Sequence, residues 1–260
     1  MYIHNLDPTI VDFGLFTLRW YSLAYIFGII LGWWLGKKII LAKFININFE
    51  DFEDLISYLI ISIIIGGRIG YIFFYNLNYY FLNPIEIFKI WEGGMSFHGA
   101  LVGIIIATYV FSTKKNIKTF IFLDIIACVA PIGLFFGRIA NFINGELYGK
   151  PSEVMWSVIF PNVDNIPRHP SQIYEAFFEG IVLFTILIFF MFKKKYKTGT
   201  CSALFLVFYG IFRIFIEQFR EPDSQIGYLF NSLSMGSILS ALMLICGLLI
   251  IFKINKNDFK

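Results

Sequence analysis

Tyr209, Arg213, Glu217 and Arg220 stand at i, i+4, i+8 and i+11, a spacing that lines side chains along one face of a helix. A guanidinium grips phosphate or carboxylate oxygens two at a time and stays charged, so the stripe suits recognition of an anion. The structural alternative is that Arg213 and Glu217 neutralise each other as an i, i+4 pair and merely pin the helix. A second run, Gly137-Arg138-Ile139-Ala140-Asn141-Phe142-Ile143-Asn144-Gly145-Glu146-Leu147-Tyr148-Gly149, puts Arg138 and Asn141 on one face. Its last two glycines let the backbone leave a helix and approach a ligand closely. An asparagine-capped helix end explains one Asn of that run, not its Arg, two Asn and Glu together. A third run, Trp91-Glu92-Gly93-Gly94-Met95-Ser96-Phe97-His98-Gly99-Ala100, sets an imidazole among glycines, where it is a candidate general base.

The elements that carry these groups are apolar. Hydrophobic residues make up 58% of the chain and charged residues 15%, with a mean hydropathy of +0.72; a soluble domain has roughly 45–50% and about 25%. Seven segments are long and apolar enough to cross a bilayer core about 30 Å thick: Leu18–Gly36, Leu55–Tyr75, Met95–Ser112, Phe120–Ile143, Ile173–Phe192, Cys201–Phe219 and Leu233–Phe252. The expected fold is therefore an all-α polytopic membrane protein, one integral domain over 1–260. No Lys or Arg precedes Arg19, so the start does not read as a cleaved signal peptide.

Lysines set the expected orientation. Lys37, Lys38 and Lys43 follow span one, and Lys114, Lys115 and Lys118 follow span three. Lys193, Lys194, Lys195 and Lys197 follow span five, and Lys253, Lys256 and Lys260 end the chain. Thirteen of the 21 basic residues thus fall on one side. By the positive-inside rule that side is cytoplasmic, with the N-terminus outside and the C-terminus inside. All six arginines lie elsewhere. The longest loop, about 144–172, is rich in glycine and proline around an apolar run, Val154–Phe160, and reads as a small extracytoplasmic cap with a hairpin. Cys128, Cys201 and Cys246 lack CxxC spacing and read as small hydrophobes, and the scattered His4, His98 and His169 ask for no metal. No cofactor is expected. A net charge of +3 gives no argument for a nucleic-acid partner.

A charge within the membrane costs at least about 2.5–3.5 kcal/mol, so each needs a reason. At 1.5 Å per residue, Arg68 and Arg213 reach about 20 Å from the cytoplasmic ends of their spans and Arg138 about 27 Å. His98 lies a few residues in from outside, and Tyr25 about 10 Å below Arg19. Polar groups of spans one, two, three, four and six thus share one layer, the outer third of the membrane. Arg68 and Arg138, at the same level on spans two and four, read as unpaired arginines. Gly28, Gly32 and Gly36 are spaced for close helix packing. Glu175 and Glu179 share a face of span five, where an arginine is a natural partner.

The run Gly137–Gly149 resembles the signature of bacterial prolipoprotein diacylglyceryl transferases, G-R-x-[GA]-N-F-x-N-x-E-x-x-G. Three more blocks agree: Met95-Ser96-Phe97-His98-Gly99, Arg168-His169-Pro170-Ser171-Gln172-Ile173-Tyr174-Glu175, and Arg213 through Phe219-Arg220-Glu221-Pro222-Asp223. The resemblance runs in order over nearly the whole chain. Ala100 departs from the expected glycine and Ala140 takes the signature's less familiar option, which bears on the local backbone path rather than on activity. The resemblance implies a multi-pass enzyme of the bacterial plasma (inner) membrane with its site toward the outer leaflet. It would transfer the diacylglyceryl group of phosphatidylglycerol to the lipobox cysteine of exported preprolipoproteins, releasing glycerol phosphate. It attaches importance to Tyr25, His98, Arg138, Asn141, Glu146, Tyr209, Arg213 and Glu217.

The chemistry expected of that set follows. Arg138 and Arg213, joined by Arg68 at the same depth, would hold the lipid phosphate; Asn141 and Glu146 would hold headgroup and arginine geometry, and Glu217 would orient Arg213. A thiol reacts as thiolate and has an ordinary pKa of about 8.5, so it needs a base: His98, with Tyr25 or Tyr209 as alternatives. A small-anion transporter is the competing reading; it would more naturally show duplicated halves and broken helices.

Overall fold

The computed structural model describes residues 2–12, 14, 17–44, 46–222 and 233–256. It is an α-helical bundle in which six helices are long and apolar enough to cross a membrane: Trp20–Lys43, Phe49–Tyr75, Phe97–Lys115, Thr119–Asn144, Ser171–Met191 and Met235–Lys256. A further apolar helix, Thr200–Ile216, has 17 residues and so spans about 25 Å. Each falls on an expected span; in chain order they are spans one to seven. Span six stops three residues early: Glu217–Phe219 continue it only as hydrogen-bonded turns, with the Gln218 and Phe219 amides on the Phe215 and Ile216 carbonyls.

Local signals place the ends. Asn48 accepts from the Glu50 amide and Glu50 and Asp51 occupy the first turn of span two, as capping and the helix dipole favour. Ser96 accepts from the Gly99 amide to start span three. Gly145 ends span four at φ +67, the left-handed conformation glycine adopts without cost.

Small residues bring helices together. In span one, a Cβ on Gly28 would lie 3.0 Å from the Gly133 Cα of span four, Gly32 meets Val129, and Gly36 has the Phe52 ring at 2.4 Å. Spans two and three cross more tightly still: a Cβ on Gly99 would meet the Gly66 carbonyl at 2.3 Å and the Gly70 Cα at 2.7 Å. The apolar core fills the lysine-bearing half, where Ile39, Leu55, Phe111, Phe122, Leu187, Met191 and Phe205 pack together. Beside it, the buried carboxylate of Asp124 receives the amides of Gly199 and Ser202 at 2.5 and 2.7 Å, the Ser202 hydroxyl at 2.6 Å and the Tyr196 hydroxyl. It thereby fastens the start of span six to span four.

The loop after span four forms the expected cap. Strands β4 (Val158–Ile159) and β5 (Pro167–Arg168) pair antiparallel, and the chain start adds β1 (Tyr2–Ile3) parallel to β4. His4 Nε2 donates to the Phe142 carbonyl at 2.8 Å, tying this sheet to the end of span four. Residues Thr9–Asp12 (β2) and Thr17–Arg19 (β3) form a separate hairpin. Between spans two and three runs a strap: a short helix Leu77–Leu82 and two 3-10 turns, Pro84–Phe88 and Ile90–Glu92. Phe81, Leu82, Ile85, Phe88 and Trp91 on it are 75–84% exposed, an apolar row just beyond the end of span two.

Candidate active site

At the opposite end of the bundle from the apolar core, spans four, five and six deliver charged groups to one buried cluster. Arg138 of span four donates from Nε and Nη2 to Glu179 Oε2 at 3.3 and 3.1 Å, and its Nη1 lies 3.3 Å from Glu175 Oε2. Arg213 of span six pairs with Glu175 Oε1, lies 3.7 Å from Glu179 Oε1, and reaches Glu217 Oε1 at 2.5 Å. Arg220 pairs with Glu217 at 3.0 Å and approaches Glu175 at 3.9 Å. Ser234 donates its hydroxyl to Glu217 Oε2 at 2.7 Å. Three guanidiniums therefore share three carboxylates, two of which, Glu175 and Glu179, have no solvent exposure. Charges so buried persist only when paired.

Sequence spacing anticipated the stripe on span six but read Arg138 as unpaired. That is corrected here: its partners come from span five, across the bundle. Glu175 and Glu179 sit at the edge of and within a π-helical turn, Ala176–Val182. Such turns are rare and concentrate at functional sites; Gly180 in it lets the Phe135 side chain of span four approach to 2.7 Å of where a Cβ would be. The only sequence signal was two glutamates four apart in an apolar span.

His98 and Tyr209 border the cluster. The His98 ring lies within electrostatic reach of Arg213 and Glu217, and its buried Nε2 has no hydrogen-bond partner among the described residues. Phe97 stacks on Tyr209 at 4.5 Å, and Tyr209 lies within reach of the charges of Glu179, Arg213 and Arg138. Tyr25 takes a different place. It is 58% exposed on the outer surface of the bundle, against Tyr21, yet within reach of the charges of Glu146 and Arg138.

Asn141 and Glu146 meet: Asn141 Nδ2 donates to Glu146 Oε1 at 2.7 Å, and Asn144 Nδ2 to the same oxygen at 3.2 Å. The backbone of the signature is held from the cap, by Gln172 Nε2 on the Glu146 carbonyl at 2.6 Å and by the Ser171 hydroxyl on the Leu147 carbonyl at 2.9 Å. Gly149 lies where a Cβ would fall 2.5 Å from the His169 carbonyl and 2.6 Å from that of Phe219, so three motif blocks are laced together at one residue. Arg168 completes the lacing. It donates to the Gly149 carbonyl, to Glu221 and to Asp164, and its guanidinium holds Asp164 below the usual carboxylate range. Burial holds the neighbouring His169 below its usual value. Asp223, the end of the last motif block, lies outside the described residues.

Arg68 is not brought to this cluster. Its guanidinium is surrounded by strap carbonyls, so the structure separates it from Arg138 and Arg213 despite a similar depth along its span.

The family model described as prolipoprotein diacylglyceryl transferase matches residues 8–253. A phosphatidylglycerol–prolipoprotein diacylglyceryl transferase of Rickettsia typhi is 53% identical over 259 residues, covering 99% of this chain and 100% of its own. That of Rickettsia bellii is 53% identical over 251 residues, covering 96% and 95%. These relatives are transferases, and the transporter alternative finds no support among them. Motifs, bundle and similarity over nearly the full length agree that the chain belongs to the prolipoprotein diacylglyceryl transferase family.

Proposed function

We propose that the chain transfers the diacylglyceryl group of phosphatidylglycerol to the lipobox cysteine of preprolipoproteins, at a site facing the outer leaflet of the bacterial inner membrane. The observation that carries this reading is the junction of Arg138 and Arg213, from non-adjacent spans, through Glu175 and Glu179. A lipid phosphate entering that junction takes over guanidinium donors now on the carboxylates, and charge-assisted bonds hold it. The acceptor sulfur, as thiolate, attacks the glyceryl carbon that carries the phosphate. The C–S bond forms, the C–O bond breaks, and its electron pair leaves on the phosphate oxygen of glycerol phosphate, which the arginines stabilise. The thiol proton passes to His98, whose Nε2 is otherwise unbonded among the described residues. Glu217 holds Arg213, while Asn141 and Glu146 hold the headgroup side. Tyr209 orients from within the bundle and Tyr25 from its membrane edge.

Purified protein, labelled phosphatidylglycerol and a lipobox peptide test this directly. Arg138→Ala or Arg213→Ala is expected to lower transfer about 10²–10³-fold, and both His98→Gln and His98→Ala to lower kcat. Substantial activity in both histidine variants would remove His98 as the base.

A further inference from the structure

We propose that Arg68 is a positioning residue, which pins the strap between spans two and three and so sets the place of His98; this rests on the role given to His98 above. Arginine has five N–H donors, and the structure gives Arg68 five carbonyl acceptors. Nε donates to Ile87 at 2.9 Å, Nη1 to Gly93 at 2.6 Å and Gly94 at 3.4 Å, and Nη2 to Glu86 at 2.5 Å and Lys89 at 3.2 Å. The side chain is buried at 5% exposure, with the Tyr80 ring 5.0 Å from the guanidinium carbon. Every donor is committed, so a lipid phosphate could be bound only by taking the strap apart.

The pinned carbonyls lead straight to His98. Gly93 and Gly94, both at positive φ, are followed by Ser96, whose amide donates to the Gly67 carbonyl beside Arg68 at 2.9 Å and whose hydroxyl caps span three. Gly99, the next residue after His98, is pressed against Gly66 and Gly70 on the same turn of span two. His98 is thus held between a fixed strap and a backbone contact that leaves no room for adjustment.

Lysine at position 68 keeps the charge but supplies three donors, leaving two carbonyls unserved. In the transfer assay Arg68→Lys is expected to lower kcat about ten- to a hundredfold, the cost of a small misplacement, with KM for phosphatidylglycerol unchanged. Arg68→Met is expected to lose more. Gly94→Ala disturbs the strap with Arg68 intact, because the new methyl would meet Arg68 Nη1 at 2.9 Å and the Tyr71 ring at 2.7 Å; it should lower kcat in the same way. In a His98→Gln background none of these changes should cost anything further. Amide exchange over residues 86–99 should rise about tenfold or more in Arg68→Lys.

A raised KM with kcat intact would make Arg68 a phosphate ligand and overturn the proposal. So would an equal loss in both backgrounds, wild-type kcat in Gly94→Ala, or unchanged exchange. Wild-type protein that transfers no lipid would defeat the functional reading alone, since exchange still reports on the strap.

Discussion

Glu175 is the residue on which the charged cluster turns. Without any solvent exposure it faces Arg138, Arg213 and Arg220, and removing one partner from a buried pair costs about 3–5 kcal/mol because the other is left uncompensated. Glu175→Gln is therefore expected to destabilise the protein by about that amount in neutral lipid. Phosphatidylglycerol brings a negative charge to the same place, so it should raise the melting temperature of Glu175→Gln more than that of the wild type. Phosphatidylethanolamine, which has no net charge, should not. Thermal unfolding in the two lipids checks this; equal shifts would place the phosphate elsewhere.

Two elements depend on polar groups outside that cluster. Asp124 holds the start of span six through four donors, and Asp124→Asn is expected to lose about 1–3 kcal/mol, read as a lower melting temperature with KM retained. In the cap, His169 meets the Tyr174 hydroxyl at 3.1 Å, and burial keeps its pKa below the ordinary 6.5. The folded cap thus prefers the neutral ring, so its contribution is present above pH 6.5 and declines as pH falls below it toward the folded value. Proteolysis within the cap should be faster at pH about 5 than at about 7.5, around the range where histidine titrates. In His169→Gln most of that difference should vanish. The cap hairpin was legible in the glycines, prolines and apolar run of the loop. The strand added by the chain start was not, since two residues at the start and two more than 150 positions later carry no local pairing signal.

At the scale of the molecule, the apolar core lies in the lysine-bearing half and the charged cluster in the other. The proposed orientation, with the cluster toward the outside, rests on the lysine distribution. With Cys246, the exposed thiol, changed to serine, a cysteine at Met155 in the cap should react with an impermeant maleimide added to intact cells, and one at Lys194 should not. A nitroxide at Ile85 or Phe88 on the strap should sit at lipid depth, whereas one at Met155, also well exposed, should sit in water. The reverse labelling pattern would invert the topology.

Span positions, the Tyr209-Arg213-Glu217-Arg220 stripe and the family motifs could be read from residue types and spacing, because hydropathy and the 3.6-residue period are local properties of the chain. The pairing of Arg138 with Glu175 and Glu179 and the diversion of Arg68 to the strap were decided only by tertiary structure. Two arginines at similar depth look alike along a helix. Which one finds carboxylates and which finds carbonyls depends on the neighbour each side chain faces, and helix rotation and close glycine crossings set that across the bundle.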